Sequence, residues 1–253
     1  MMSPELEPLA IDHRGKILRG TLYMGNGPEV MLLCHGFGGT RTGPGRLFVE
    51  MARALQAEGT SVLTFDRIGH GESCGSLADV TIEDEIAQLC QMLGAGPARG
   101  RMVHVVGHSL GAMEAASLAA RMPDRIASLT LLAPAAAIVD DVARGQIIGR
   151  SLGPIRAGGI VEHDGQAVAA PIVDSARTFD PYAGLRSYRG PVTLHHGTAD
   201  RLVAPSYSER YAKLLPRATL HLHDGVDHDF ADVALRRRII AGVQMHTAVP
   251  EAA

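Results

Sequence analysis

Short apolar segments alternate along this chain with longer segments of helical periodicity, and this alternation limits the possible folds most strongly. The apolar segments are five or six residues long and rich in β-branched residues, which is typical of strands. Strands and helices that alternate in this way form a parallel sheet with helices on both faces. The strand candidates are VMLLC (30–34), SVLTF (61–65), MVHVV (102–106), ASLTLL (127–132), VTLHH (192–196) and ATLHLH (218–223). The segments with apolar residues at helical spacing are RLFVEMARALQAEG, TIEDEIAQLCQML, LGAMEAASLAARM and SYSERYAKLL.

Two segments depart from this alternation. The opening segment KILRGTLYMGNGPEVMLLC has two strand patterns around Gly25-Asn26-Gly27, which predicts an antiparallel hairpin at the start of the sheet. Residues 134–187 are rich in Gly, Pro and Ala and include the hairpin pattern IVEHDGQAVA. Connections in α/β units usually contain about two to six residues, so this segment predicts an inserted cap. We therefore expect a core of residues 1–133 and 188–253 and a cap of residues 134–187.

The composition suits one large globular domain and argues against several classes of partner. Of the 253 residues, 46% are hydrophobic, which is enough to form a sizeable core. The formal net charge is −3, so we expect no nucleic-acid partner. We interpret the basic run Arg236-Arg237-Arg238 as the solvated face of a helix. No run of about 18 apolar residues occurs, so we expect no transmembrane helix and no membrane partner.

The first residues and the cysteines both indicate a reducing compartment. The segment MMSPELEPLAIDHRGK lacks the basic and apolar regions of a secretory signal. Three cysteines cannot all pair within one chain, which favours free thiols, with Cys34 buried in a strand and Cys74 exposed in a loop. We therefore expect a cytoplasmic protein. Whether two copies associate as a homodimer stays open.

The segment VVGHSLGA places a serine between two glycines where a strand pattern gives way to a helical pattern. Gly-x-Ser-x-Gly in this context is the pattern of a nucleophile elbow, a strained turn that exposes the serine hydroxyl. The glycines allow neighbouring backbone to approach closely. Ser109 is therefore the candidate nucleophile, and the alternative is a serine that only caps the following helix.

A serine hydroxyl needs a base to accept its proton, and the base needs a partner that orients it. Ligands gather beyond the carboxyl ends of parallel strands, and His228 and Asp200 each follow a predicted strand. The chain order Ser109, Asp200, His228 is one in which serine hydrolases carry their triad. We predict His228 as general base and Asp200 as its partner, with a turn-forming role as the alternative for Asp200. The competing acids, none of which follows a strand as cleanly, are Asp174, Asp180 and Asp224.

A tetrahedral intermediate carries negative charge on oxygen, so backbone N–H groups must be aimed at that oxygen in advance. The residue after the nucleophile, Leu110, supplies one donor. The loop HGFGG after the strand at 30–34 offers the N–H of Phe37 as the second. The alternatives for these glycines are loop flexibility or a phosphate-binding loop. The Gly-Lys-[Ser/Thr] of a Walker loop and the Gly-x-Gly-x-x-Gly of a dinucleotide fold are both absent from these loops.

Several histidines follow one another closely and raise the question of a metal site. They are His195, His196, His221 and His223. No cysteine or carboxylate completes a zinc-binding spacing with them, so we expect them to pack and expect no metal. We expect His35 and His108 to orient or pack neighbouring groups. The predicted reaction also needs no cofactor.

At these motifs the chain resembles the α/β-hydrolase superfamily, and within it the small bacterial cinnamoyl or feruloyl esterases. The resemblance covers most of the chain. It rests on HGFGG, similar to the oxyanion segment, DRIGHGES, VVGHSLGA, HGTADRLVAPSYSERY for the acid loop and DGVDHDF for the histidine loop. The resemblance implies an α/β-hydrolase fold with Ser109, Asp200 and His228 as triad and with Phe37 and Leu110 as oxyanion donors.

In that branch a short inserted cap covers the acyl pocket and supplies polar groups to a phenolic ring. By position, the resemblance implies Asp140, Asp141, Gln146 and Tyr182 as substrate-binding residues. The implied activity is hydrolysis of small carboxylic esters, with hydroxycinnamoyl esters among them, through an acyl-enzyme. Thioester or amide hydrolysis and acyl transfer use the same machinery and stay open, as does a ligand-binding protein with little catalysis. A haloalkane dehalogenase is disfavoured because its elbow nucleophile would be aspartate.

Overall fold

The alternation seen in the sequence becomes, in the computed structural model, a sheet between two layers of helices. The structure describes residues 6–247, so residues 1–5, where the segment interpreted as lacking a secretory signal begins, lie outside it. The strands are β1 (Leu6–His13), β2 (Lys16–Tyr23), β3 (Val30–Cys34), β4 (Ser61–Asp66), β5 (Val103–His108), β6 (Ile126–Leu132), β7 (Gln146–Ile147), β8 (Arg150–Ser151), β9 (Val161–His163), β10 (Gln166–Val168), β11 (Val192–Gly197) and β12 (Ala218–His223). The α-helices are α1 (Leu47–Ala57), α2 (Ile82–Met92), α3 (Leu110–Arg121), α4 (Ala137–Ala143), α5 (Gly153–Arg156), α6 (Ala170–Thr178), α7 (Pro205–Leu214) and α8 (Val233–Thr247). Short 3-10 helices lie at Pro44–Arg46, Leu77–Asp79, Gly96–Ala98, Pro123–Arg125 and Leu185–Ser187.

The main sheet has eight strands in the order β1-β2-β4-β3-β5-β6-β11-β12. From β4 to β12 neighbouring strands are parallel, whereas β1 and β2 are antiparallel. The predicted parallel sheet is confirmed, and each strand candidate begins within one residue of the observed strand. The carboxyl ends of β3, β5 and β11 therefore lie at one edge of the sheet.

Alternate residues of the central strands enter two separate apolar cores because the side chains of a strand point to opposite faces. On one face, Leu32 and Val105 pack with residues of α2 and α3. On the other face, Met31 and Val106 pack with residues of α1 and α8. Every residue of β3 and β5 is buried, as expected for strands covered by helices on both sides.

The hairpin predicted at Gly25-Asn26-Gly27 is wrong. The antiparallel hairpin consists of β1 and β2, and its turn is Arg14-Gly15, both with positive φ. Strand β3 pairs with β4 and β5 and not with β2. Glycine is required at position 25 by a close backbone contact instead, since a Cβ there would overlap the carbonyl oxygen of Gly59.

Between β6 and β11 the chain leaves the main sheet and forms α4, the hairpin β7–β8, α5, the hairpin β9–β10 and α6. The second hairpin is the one expected from IVEHDGQAVA, and its two-residue turn has positive φ at Asp164 and Gly165. We refer to this segment as the cap; its predicted boundaries, 134 and 187, stay a prediction. All three cysteines are free, with Cys34 buried and Cys74 exposed, as expected.

The interpretation of the arginine run as a solvated face is wrong for its first member. Arg237 and Arg238 are exposed on α8, but Arg236 is only 7% exposed. Its guanidinium donates to the backbone carbonyl oxygens of Pro44, Gly45, Asp229 and Phe230. A guanidinium presents five N–H donors, and this arginine uses them to join two loops. No helix within residues 6–247 is long and apolar enough to cross a membrane.

Candidate active site

Ser109 occupies the junction at which β5 ends and α3 begins. Its φ of 56° and ψ of −121° are costly for a residue other than glycine, as in a nucleophile elbow. Both flanking glycines are required by close contacts: a Cβ at Gly107 would lie 2.5 Å from Ala112 Cα, and one at Gly111 would overlap the carbonyl oxygen of His35. The Ser109 side chain makes no capping hydrogen bond to the helix. The hydroxyl is thus presented at the sheet edge rather than used to start α3.

The structure brings Ser109, His228 and Asp200 together in one hydrogen-bonded line. His228 Nε2 lies 2.9 Å from Ser109 Oγ. His228 Nδ1 lies 2.6 Å from Asp200 Oδ2. Asp200 follows β11 and His228 follows β12, so the neighbouring parallel strands deliver both groups to the end of β5. This geometry allows the imidazole to take the hydroxyl proton on one nitrogen while the carboxylate holds the other.

Four N–H groups surround the carboxylate of Asp200. Oδ1 accepts from the backbone N–H groups of Leu202 at 2.8 Å and Val203 at 2.9 Å. Oδ2 accepts from His228 and lies 3.2 Å from His196 Nε2, which also donates to the carbonyl oxygen of Val203 at 2.9 Å. Burial by itself raises the pKa of Asp200, but the hydrogen bonds from His196 and His228 outweigh it and hold the pKa well below its ordinary value. Asp200 is therefore ionised beside the imidazole.

The acids that compete with Asp200 have other partners. Asp174 forms an ion pair with Arg177, Asp180 accepts from the N–H of Tyr182, and Asp224 accepts from the Thr198 hydroxyl. The first two contacts are local in the chain, and the third joins the segments that follow β11 and β12. Of the four candidates in the sequence, the structure places only Asp200 on the His228 imidazole.

Two further histidines hold the loops around Ser109. His108 Nε2 donates to the carbonyl oxygen of His228 at 2.9 Å, and burial lowers the pKa of His108 to about 3. His35 Nε2 accepts from the N–H of Arg67 at 3.1 Å, so its Nδ1–H donates to the carbonyl oxygen of Gly36 at 2.8 Å. Burial also lowers the pKa of His35 well below its usual range. Both rings are therefore neutral and orient backbone, the role that we expected.

The residues predicted to supply the oxyanion donors, Phe37 and Leu110, line the same cavity as Ser109. Leu110 is the first residue of α3, where a backbone N–H has no acceptor within the helix. The N–H of Phe37 belongs to the same peptide unit as the Gly36 carbonyl that His35 holds. That hydrogen bond therefore restrains the plane of the Phe37 donor.

The cavity around Ser109 has a volume of about 570 Å³, the size of a small-molecule site. Part of its wall comes from the core loops and part from the cap. Its apolar lining includes Phe37, Leu110, Ile138, Ile148, Leu202 and Val203. Its polar lining includes Asp141, Gln146, His163, Asp164, Arg201 and Asp229. The cavity is partly open to solvent, and apolar and polar side chains both lie along its wall.

The structure places two of the four predicted cap residues in this wall. Asp141 and Gln146 line the cavity, whereas Asp140 and Tyr182 do not. Asp140 is exposed and accepts from the hydroxyl of Tyr207 at 2.7 Å. Consecutive residues of a helix point about 100° apart, so Asp140 and Asp141 on α4 cannot share a direction.

Tyr182 lies against α7 instead of the cavity. Its ring centroid is 5.0 Å from that of Tyr211, and the guanidinium of Arg210 lies 3.9 Å above it. Sequence reasoning also missed Ile138, which lines the cavity one helical turn before Asp141. The i, i+3 spacing of these two residues is the signal that could have found it.

The neighbouring histidines of β11 and β12 stack on one another. The ring centroid of His195 lies 5.1 Å from that of His221 and 5.2 Å from that of His223, with nearly parallel planes. Among the residues described, no cluster of three or more His, Cys, Asp or Glu side chains could hold a metal ion. His196 follows His195 in β11 and therefore points to the opposite face of the sheet, where it contacts Asp200.

Comparison with known proteins defines the class. The family model described as the alpha/beta hydrolase fold matches residues 29–182, which is more than half of the chain. The chain belongs to the alpha/beta hydrolase family.

Among individual proteins, Lipase LipV of Mycobacterium tuberculosis is 37% identical over 119 residues, which are 46% of this chain and 41% of that lipase. The match thus spans less than half the length of that curated relative. Est1E of Butyrivibrio proteoclasticus, solved with ferulic acid bound, superposes with a TM-score of 0.83 at 24% identity, covering 94% of this chain and 97% of Est1E. A monoacylglycerol lipase of Paleococcus ferrophilus gives a TM-score of 0.71 at 20% identity, covering 90% of this chain and 99% of the lipase. These two likenesses show the fold.

Proposed function

We propose that this chain is a serine hydrolase that cleaves small carboxylic esters through an acyl-enzyme. The observation that carries the proposal is the line of two hydrogen bonds from Ser109 Oγ through His228 to Asp200, at 2.9 and 2.6 Å. A strained serine beside an imidazole and an ionised carboxylate is the arrangement of nucleophilic acyl transfer.

In the first half-reaction, Ser109 Oγ attacks the ester carbonyl carbon while His228 Nε2 takes the hydroxyl proton. Asp200 stays ionised and stabilises the imidazolium through Nδ1–H. The N–H groups of Phe37 and Leu110 donate to the oxyanion of the tetrahedral intermediate. The bond from carbon to the alcohol oxygen then breaks, and His228 gives its proton to that oxygen.

In the second half-reaction, water attacks the acyl-Ser109 ester as His228 takes one of its protons. The tetrahedral intermediate breaks down, the proton returns to Ser109 Oγ, and the carboxylic acid leaves. Atoms and charge balance without a cofactor. The proposed substrate is a small ester, and water is the second reactant.

The finer proposal is an aromatic, hydroxycinnamoyl acyl group. The cavity volume, its partly apolar wall and the positions of Asp141 and Gln146 in the cap support it. These two side chains can bond a phenolic hydroxyl at the far end of an acyl group whose carbonyl lies at Ser109. The likeness to Est1E, which was solved with ferulic acid, agrees with this choice.

The test compares wild type with Ser109→Ala on p-nitrophenyl acetate and methyl ferulate. We expect the variant to lose at least about 10⁴-fold in kcat, since removal of the nucleophile of a triad has effects of this order. A fluorophosphonate probe should label wild type and leave Ser109→Ala unlabelled. Wild-type turnover by Ser109→Ala would refute the nucleophile, and an unlabelled, inactive wild type would indicate the binding-protein alternative. Relative rates on methyl ferulate, short alkyl esters, acyl thioesters and amides then assign the bond that is cleaved.

A further inference from the structure

A hydrogen bond joins the cap to the loop that supplies an oxyanion donor. Gln166 Nε2, at the start of β10, donates to the carbonyl oxygen of Gly38 at 3.3 Å. Gly38 directly follows Phe37, whose N–H is the proposed donor. The two bonded residues are 128 positions apart in the chain, so the contact exists only because the cap folds over the end of β3.

A second contact between the same two segments is a ring stack. The His163 and Phe37 rings have centroids 5.9 Å apart and an interplanar angle of 23°. Gly38 has a φ of +67°, and a Cβ there would lie 3.0 Å from His163 Cδ2. The loop is therefore shaped to receive the hairpin β9–β10, both in its backbone conformation and in its lack of a side chain.

The hairpin itself is firmly placed. Val161 and Val168, which pair at its base, are buried in the main core. Strand β10 packs against the 3-10 helix Leu77–Asp79. Its turn contains only Asp164 and Gly165, so the hairpin has little freedom to slide in register. Gln166 therefore stands at a fixed position relative to the sheet.

The loop needs such a support. Its glycines, Gly36, Gly38 and Gly39, leave the backbone conformationally free. On the core side, His35 holds the Gly36 carbonyl at 2.8 Å. On the cap side, Gln166 holds the Gly38 carbonyl. Phe37 lies between these two anchored carbonyls, and an oxyanion donor contributes most when it is aimed before the charge develops.

We propose that Gln166 is a positioning residue that fixes the Phe37 N–H for the transition state. The proposal rests on the proposed serine-hydrolase function. Gln166 is not among the residues that line the cavity, so it acts through Gly38 and not by touching substrate. The cap then has two roles. It forms part of the wall of the acyl site, and it holds the oxyanion loop in place.

The experiment compares Gln166→Ala and Gln166→Glu with wild type. Glutamate keeps the shape but removes the donor when ionised. Glu162→Ala is the matched control, because Glu162 lies exposed on the same hairpin. We expect kcat for p-nitrophenyl acetate to fall about tenfold in both Gln166 variants, less than the roughly 10²-fold or greater loss when an oxyanion donor itself is removed. KM should stay within about twofold and Tm should fall by no more than about 2–4 °C, since one part-buried hydrogen bond adds little to stability.

A second measurement separates positioning from a purely structural role. A phenylboronic acid forms a tetrahedral adduct with the serine, whereas ferulate binds without one. The affinity for the boronic acid should fall in parallel with kcat, and the affinity for ferulate should stay the same. Equal losses for both ligands, or wild-type kcat in both Gln166 variants, would overturn the proposal.

Failure of the Gln166 proposal can be told apart from failure of the proposed hydrolase function by comparing the Ser109 and Gln166 variants. If Ser109→Ala is inactive and Gln166→Ala is fully active, the inference fails while the hydrolase stands. If Ser109→Ala keeps its turnover, the hydrolase mechanism itself fails. His163→Phe, which keeps the ring stack, should retain kcat better than His163→Ala, and the reverse order would contradict the second contact. His163 also lines the cavity, so Gln166 carries the decisive test.

Discussion

His196 Nε2 lies 3.2 Å from Asp200 Oδ2, the same oxygen that accepts the hydrogen bond from His228. His196 is fully buried, and its Nδ1 lies 2.6 Å from the hydroxyl of Ser208. The carboxylate at the end of the proposed triad is therefore held from two sides by imidazoles. One of them faces the nucleophile, and the other faces the core.

We predict that His196→Leu raises the pKa of Asp200, because burial then acts against fewer hydrogen bonds. A depressed carboxyl pKa stabilises the fold above the unfolded-state pKa, and this stabilisation is lost as the pH falls through the folded-state pKa. The stability gap between wild type and His196→Leu should thus be largest at neutral pH, at about 1–3 kcal/mol. It should shrink in acid, once the pH falls through the raised pKa of the variant. Urea unfolding from pH 7 to pH 2.5 measures the gap.

His196→Gln is the control because it keeps an N–H donor of similar reach. It should retain more of the wild-type stability at neutral pH than His196→Leu does. A gap for His196→Leu that stays constant over the whole pH range would argue that the histidine acts by packing alone.

Two glycine substitutions should change the stability of the protein in opposite directions. Gly111→Ala should destabilise the protein by about 1–3 kcal/mol, because the new Cβ overlaps the carbonyl oxygen of His35 and the backbone must shift. Gly242→Ala, in helix α8, meets nothing within 4 Å of its Cβ. It should stabilise by about 0.5–1 kcal/mol through helix propensity. Thermal denaturation of the two variants checks both signs, and a neutral Gly111→Ala would contradict the close approach of α3 to the end of β3.

The arginine run offers a neighbouring pair with different burial. Arg236→Ala should cost about 2–4 kcal/mol, because it leaves four backbone carbonyls without their charged donor. Arg237→Ala, exposed on the same helix, should stay within about 0.5 kcal/mol of wild type. Two of the carbonyls belong to Asp229 and Phe230, directly after His228, so Arg236→Ala should also lower kcat. Equal stabilities for the two variants, by urea denaturation, would refute this role.

A buried charged cluster lies beneath the elbow. Arg67 Nε donates to Glu85 Oε1 at 2.7 Å, and Arg67 Nη1 lies 2.9 Å from Glu114 Oε2. All three side chains are buried. Burial and the neighbouring Glu85 raise the pKa of Glu114 well above its usual value, although Arg67 opposes them. Burial also raises the pKa of Glu85, but the nearby Arg67 outweighs it and the net pKa is lowered.

We predict that Glu114→Gln stabilises the protein at neutral pH. When folding raises the pKa of a carboxyl, the folded protein becomes less stable as the pH rises from the unfolded-state pKa to the folded-state pKa of that group. Glutamine mimics the neutral form and removes this loss, so the stability advantage should vanish in acid. Unfolding free energies at pH 4.5 and pH 8 measure the difference, and a variant less stable than wild type at pH 8 would count against the assignment.

The companion substitution Glu85→Gln should have the opposite effect. It removes the ionised partner of a buried guanidinium, which costs about 3–5 kcal/mol in other buried pairs. If Glu85→Gln and Glu114→Gln changed stability in the same direction, this would contradict an ionised Glu85 beside a neutral Glu114.

Much of the fold followed from local signals. The strand candidates at 30–34 and 218–223 match β3 and β12 in both bounds, because a short apolar run (VMLLC) and a strict apolar–polar alternation (ATLHLH) are both typical of strands. Ser109 could be singled out because the elbow is a local device: one strained residue and two close glycines lie within five positions. Asp200 and His228 followed from the rule that parallel strands end at one edge.

Other features had no local signal. The turn of the first hairpin contains Arg14, a residue that rarely takes positive φ and that no turn pattern marks. Arg236 and Arg237 are identical in type and adjacent, so only the packing of α8 against two loops separates a buried donor from an exposed one. Tyr182 carries a phenol suited to a binding site, yet its ring packs against Tyr211 of α7 in the folded chain.

The amino-acid sequence by itself thus determined the alternation of central strands and helices, the candidate nucleophile Ser109 and its candidate partners Asp200 and His228, because these depend on spacing and on conformational preferences of neighbouring residues. The tertiary structure alone decided which cap side chains reach the cavity, which arginine is buried and that Gln166 meets Gly38. Such contacts join segments far apart in the chain, and their existence depends on how whole elements dock, which short-range preferences do not specify.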